Sequence, residues 1–207
     1  MGKFIDLFKK PKGVKPLPNY PKIGIANVPP ASALIFYGSP GNKATELVGS
    51  RLYKFKYNPV PFHAALYLDK GEFLNVGKFK TVESLKDNMK NTRRIDVIEY
   101  AMSDEQLAEI LYRGRRDTSK PKHPLDLTDY AVTDFLRFGL RFLKPSKKDF
   151  CSENVVENMA HGGIKVSDLK AVDTAPWDLL EFAEANPHLC RIYTLYEGDE
   201  FTKRLGR

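Results

Sequence analysis

Cysteine is scarce: the chain of 207 residues has two, Cys151 and Cys190. Two thiols make no disulfide framework, so nothing in the composition demands an oxidising compartment. Two cysteines and four scattered histidines also lack the spacing of a metal site, and neither a metal nor another cofactor is expected. No apolar run comes near the roughly 20 residues needed to span a bilayer. The opening "MGKFIDLFKK" carries Asp6 where a secretory segment would stay apolar. The expected setting is cytoplasmic synthesis with no signal peptide or transmembrane segment, followed by residence in a particle such as a virion or at the periphery of a membrane. Internal repeats, an aromatic-basic RNA signature and zinc-finger spacing are all missing, which speaks against a nucleic-acid partner despite a formal net charge of +7. That charge is spread along the chain, densest in "RGRRDTSKPKH" (Arg113 to His123), and it suits an acidic wall polymer or a membrane surface.

What is present divides into an arm and a body. Residues 1–30 hold a short amphipathic stretch with Phe4, Leu7 and Phe8, then "PKGVKPLPNYPKIGIANVPP", whose six prolines predict an extended segment. Such an arm either docks on an assembly partner or a membrane, or is a loose linker. The body, 31–207, opens with the strand-like "ASALIFYG". A helical stretch over Asn42 to Phe55 follows, then strands at Pro61 to Leu68, Glu72 to Phe79 and Ile95 to Tyr100. "SDEQLAEILYRGRR" starts a helix with Ser103 and Gln106 in capping-box spacing. Further helices are predicted over about Asp126 to Leu143, from Cys151, and in "WDLLEFAEA", before a last strand "LCRIYTLYEG". The pattern is α+β, a small antiparallel sheet with helices on one side.

The chemistry centres on "DFCSENVVENM". Cys151 stands at the start of a helix, where the positive end of the macrodipole favours a thiolate. Cys190, alternating with Ile192, Thr194 and Tyr196 in a strand, is expected to be inert. A nucleophilic thiol needs a base, and the base needs an orienting group. His123 and His188 lie in loop or turn sequence, and His161 is about 15 Å along the helix from Cys151. His63 lies inside the strand "PFHAALYL" and is the candidate base. A three-residue hairpin loop, Asp69-Lys70-Gly71, would set Ala65 opposite Asn75 and place His63 and Asn75 on one face. A five-residue loop would set them directly opposite, and a two-residue loop would separate them. Asn75 is the candidate orienting group, with Asp69 and Glu72 next in line.

In order, "ASALIFYGSPG", "FHAALYL", "FLNV" and "FCSENVVENMAHGGI" resemble the permuted NlpC-like cysteine hydrolases. These are circularly permuted papain-fold proteins that include the YiiX-like group and relatives of lecithin:retinol acyltransferase. "TDYAVTDFLRFGLRFL" and "DTAPWDLLEF" resemble their linking helix and closing segment, so the likeness covers about residues 31 to 197. It implies Cys151 as nucleophile, His63 as base and Asn75 as third member, where many relatives carry an acidic residue. On that analogy Asn75→Asp should retain activity. Glu153-Asn154 and Ala31-Ser32 depart from the usual Glu-Leu and Gly-Asp. The implied activity is that of a thiol hydrolase, an amidase, peptidase or acyltransferase, acting on a cell-wall peptide or lipid-like amide or ester. The alternative is an interaction protein of a larger assembly such as a phage or viral particle, docking through the body and arm.

Overall fold

The computed structural model describes residues 15–37, 57–58, 61–76, 80–89, 92–117, 151–171 and 174–197. The helices expected over 42–55 and 126–143, like residues 1–14 of the arm, lie outside the described residues. The architecture is α+β. Its strands in chain order are β1 (Lys15–Pro16), β2 (Ala33–Tyr37), β3 (Tyr57–Asn58), β4 (Pro61–Asp69), β5 (Glu72–Val76), β6 (Lys80–Ser84), β7 (Arg94–Tyr100) and β8 (Cys190–Glu197). The helices are α1 (Leu85–Met89), α2 (Asp104–Asp117), α3 (Cys151–His161) and α4 (Pro176–Ala185). Six strands form one sheet in the order β6-β5-β4-β2-β7-β8, antiparallel at every rung, and β1 and β3 make a separate parallel pair.

Alternation of side chains splits the core in two. Ile35, Tyr37, Ala64, Leu66, Leu74 and Ile98 point to one face, where Ile110 of α2, Val155 and Met159 of α3 and Leu179 of α4 cover them. Leu34, Phe36, Ala65, Tyr67, Phe73 and Val97 point to the other, joined by Val28 from the arm and Leu85 of α1. Among the described residues α2, α3 and α4 share one side of the sheet, while the short α1, which the sequence reading did not anticipate, reaches the other side through Leu85.

The helix ends follow from their residues. Ser103 Oγ accepts from the Gln106 amide at 3.3 Å while Gln106 Oε1 accepts from the Ser103 amide at 2.9 Å, so the capping box that opens α2 is formed. At α4, Pro176 takes the first turn, where no amide is needed, and Asp178 accepts from the Ala175 amide at 2.8 Å. α3 stops at Gly163, which has φ of 75°. The Ile164 amide there reaches back to the Met159 carbonyl at 2.9 Å, a glycine-closed helix end. Gly162 has a different reason to be glycine. A Cβ there would stand 2.5 Å from Ile110 Cγ1 and 3.0 Å from the Gln106 carbonyl oxygen, because α2 and α3 touch at this point. Gly162→Ala is expected to cost about 1–3 kcal/mol through overpacking. Urea denaturation reads the loss, and a change under about 0.5 kcal/mol would mean that the helices are not held this close.

The arm is not loose where it is described. Lys22 bridges in parallel to Thr194 on the outer strand β8, with Ile23 N–H donating to the Thr194 carbonyl at 3.0 Å and Thr194 N–H to the Pro21 carbonyl at 2.9 Å. Leu17 and Tyr20 pack with the helical face and Ile23 with the opposite one, so the chain crosses the sheet edge here. A proline-bearing segment suits this position, because an outermost strand needs few amide donors. Beneath the arm lies a buried polar cluster. Arg94 donates to Asp96 at 2.8 Å, to the Thr194 hydroxyl at 3.0 Å and to the Pro18 carbonyl at 2.8 Å, and its guanidinium sits 5.5 Å from the centre of the Tyr20 ring.

Candidate functional site

His63 occupies the third position of β4, just inside a break in the ladder. Phe36 pairs with His63, but the next rung joins Tyr37 to Pro61, so one residue of β4 is bulged out at the strand start. The imidazole lies 5.4 Å from the Phe36 ring, on the face shared with Phe73.

The hairpin that brings Asn75 to it combines two of the geometries considered from sequence. The turn has two residues, Lys70 and Gly71, with φ of 52° and 80°, the positive values that a tight hairpin requires. A two-residue turn alone would put His63 and Asn75 on opposite faces. The register shifts between Tyr67 and Asp69, however, and from Tyr67 inward the pairs are Tyr67 with Phe73 and Leu66 with Leu74. That register is the one a three-residue loop predicts. The bulge restores it, and His63 Nε2 stands 2.8 Å from Asn75 Oδ1.

Asn75 in turn donates through Nδ2 to Glu83 Oε1 at 2.7 Å. Glu83 lies on β6, whose register sets Thr81 opposite Asn75 and Glu83 opposite Phe73. Thr81 Oγ1 also donates to Oε1 at 2.9 Å, and Asn88 Nδ2 donates to Oε2 at 3.0 Å. Sequence reasoning missed this carboxylate, because the run Glu72 to Phe79 reads as one strand and "KTVES" has only Val82 as an apolar strand signal. The acidic residues it did single out are used elsewhere: Asp69 accepts from the Lys70 amide at 2.7 Å, and Glu72 faces Arg115 at 3.4 Å.

The electrostatics favour a neutral ring. Burial pushes the His63 pKa down from 6.5 to about 4, against the opposing pull of the Asn75 hydrogen bond and the Glu83 charge. Burial alone would raise Glu83, but the hydrogen bonds from Asn75, Thr81 and Asn88 outweigh it and hold the carboxyl below its usual range. At neutral pH the site therefore pairs an uncharged imidazole with an ionised carboxylate, joined by an amide.

Cys151 is the first residue of α3 and is buried, as are Ser152, Glu153 and Asn154 behind it. Ser152 Oγ donates to the Thr174 carbonyl at 2.6 Å, which ties the helix start to the segment before α4. The apolar residues of α3, Val155 and Met159, pack against Ala64 and Leu66, the face of β4 opposite that of His63. The structure thus brings His63 and Asn75 together and adds Glu83, while α3, which begins at Cys151, packs on the other face of β4. Cys190 is buried at its rung with Tyr100, and burial pushes its thiol up to about 11. His161 and His188 are exposed, and His123 lies outside the described residues. Among the described residues no group of three or more His, Cys, Asp or Glu side chains is placed to hold a metal ion, and no helix is long and apolar enough to cross a membrane.

No protein-family model matches the chain, and no match is found among curated proteins.

Proposed function

We propose that the protein is a thiol hydrolase of the permuted papain-like kind, with Cys151 as nucleophile, His63 as base and Asn75 as the group that orients it. The observation that carries this reading is the 2.8 Å contact between His63 Nε2 and Asn75 Oδ1. It holds a neutral imidazole by one nitrogen and leaves the lone pair on the other. In the proposed cycle the Cys151 thiol gives its proton to Nδ1 of His63 and the sulfur attacks an amide or ester carbonyl. The imidazolium then protonates the departing amine or alcohol. Water, deprotonated by the same nitrogen, breaks the acyl-sulfur bond and frees the acid and the thiol. The backbone N–H of Cys151, at the positive end of the helix, would hold the oxyanion.

The reading sets a geometric demand. Because α3 packs its apolar residues on the other face of β4, sulfur and imidazole must meet around the start of that strand, where the ladder breaks at Phe36 and Tyr37. The substrates in view are cell-wall peptides and lipid-like esters, both compatible with the basic charge. Pro21 and Ile23 bond to the chain's own sheet edge and Leu17, Tyr20 and Val28 pack on its core, so an assembly or membrane role for the arm is assigned to the stretch before Lys15. A particle-borne enzyme that opens a wall is compatible with both readings.

The test is hydrolysis of peptidoglycan fragments and of phospholipids by wild type and by Cys151→Ala, with a loss of roughly 10³-fold or more expected. A thiol-directed probe should label Cys151 ahead of Cys190, and His63→Gln should slow labelling of Cys151 alone. Labelling that ignores the His63 replacement would separate thiol from imidazole and favour the interaction protein.

A further inference from the structure

The two ends of an asparagine amide have the same shape, so something else must decide which end meets His63. A carboxylate decides it. Ionised Glu83 only accepts hydrogen bonds, and its two oxygens already receive Thr81 and Asn88. Turning Asn75 over would set its carbonyl oxygen against Oε1, 2.7 Å away, two acceptors with no proton between them. Asn75 must therefore give Nδ2 to Glu83 and present Oδ1 to the ring. An amide oxygen only accepts, so the ring must donate: Nε2 of His63 carries the proton and Nδ1 the lone pair.

We propose that Glu83 is a positioning residue for His63, acting through Asn75 to select the ring tautomer whose basic nitrogen is Nδ1. Its consequence for catalysis rests on the thiol-hydrolase reading, whereas the tautomer itself does not. The relay also supplies the carboxylate that a Cys-His-Asn site lacks, one residue further out. It reverses the expectation for Asn75→Asp drawn from sequence. That change sets two carboxylates at hydrogen-bond distance, and one must take up a proton or turn away. Activity should fall in the single variant and return in Asn75→Asp/Glu83→Gln, where the new amide at 83 donates to the new carboxylate at 75.

Nitrogen-15 NMR of the labelled protein near pH 7 tests this directly, with the His63 resonances assigned by their loss in His63→Gln. Wild type should show the Nε2–H form. Glu83→Gln, whose amide both donates and accepts, should show a mixture of tautomers, and hydrolysis should drop about 10-fold in kcat, with KM little changed. The double variant should return both readouts toward wild type. An Nδ1–H ring in wild type, or an unchanged tautomer in Glu83→Gln, would overturn the proposal. Tautomer changes of the expected kind in a protein that hydrolyses none of the substrates support the relay and count against the hydrolase reading alone.

Discussion

Arg94→Ala is expected to lower the stability of the fold by about 3–5 kcal/mol, the cost of leaving one member of a buried ion pair alone. Asp96 is fully buried and Arg94 nearly so, and their contact is 2.8 Å. Burial pushes the Asp96 carboxyl up, and Arg94 is the leading influence that pulls it back. Without the guanidinium the carboxylate must either take up a proton or stay charged in an apolar setting. The same substitution removes the donors to Pro18 and Thr194 and the cation beside Tyr20, so it also unties the arm. Urea denaturation gives the free energy. Faster proteolysis of the arm at temperatures well below unfolding reports the untying. In the Arg94→Ala background, Asp96→Asn should recover part of the loss, because the stranded charge is gone. A loss below about 1 kcal/mol would show that solvent reaches the pair.

Acid should weaken the protein through His63 before it protonates most carboxylates. The ring's pKa is about 4 in the folded chain, against 6.5 as its ordinary value. Between those values the unfolded chain holds a proton on His63 that the folded chain refuses, so stability rises with pH across the window. The contribution is fully present above about pH 6.5 and is lost as pH falls toward 4, up to about 3 kcal/mol in total at 1.36 kcal/mol per unit. Glu83 is the charged group that faces the ring, and its own lowered pKa adds a loss of the same sign at the acid end of the range. Denaturation midpoints between pH 7 and 5 therefore isolate the histidine. His63→Gln, able to donate to Asn75 without titrating, should flatten the profile there. Equal slopes for the two proteins would place the ring in water.

The α+β class was legible because the main strands carry apolar alternation and α2 and α3 carry readable end signals, whereas the short α1 had none. Ser103 with Gln106, and the paired glycines after His161, mark boundaries that the structure keeps within a residue or two. The pairing of His63 with Asn75 was legible for a less secure reason. The loop length assumed from "DKG" differs from the real one, and a bulge between Tyr67 and Asp69 compensates by one residue. Glu83 was not legible. Its place follows from the register of β6 against β5, and an edge strand with one apolar residue shows little periodicity to read. The arm's seating was hidden as well, since proline fixes a backbone shape but names no partner.

The bridge between Lys22 and Thr194 bears on how the chain is made. The arm leaves the ribosome early, yet the elements it touches emerge much later: Tyr20 donates to Glu184 of α4, 164 positions along the sequence, and Ile23 to Thr194 of β8. Until that stretch has been synthesised, Pro21 and Ile23 have no rung to join and the Arg94 cluster lacks Thr194. Loop closure over such a span is slow relative to local hairpins, so the sheet should assemble from its middle outward, with the arm last to lock. Translation stalled before β8 would then yield a nascent chain with the β4–β5 hairpin formed and the arm still open to protease.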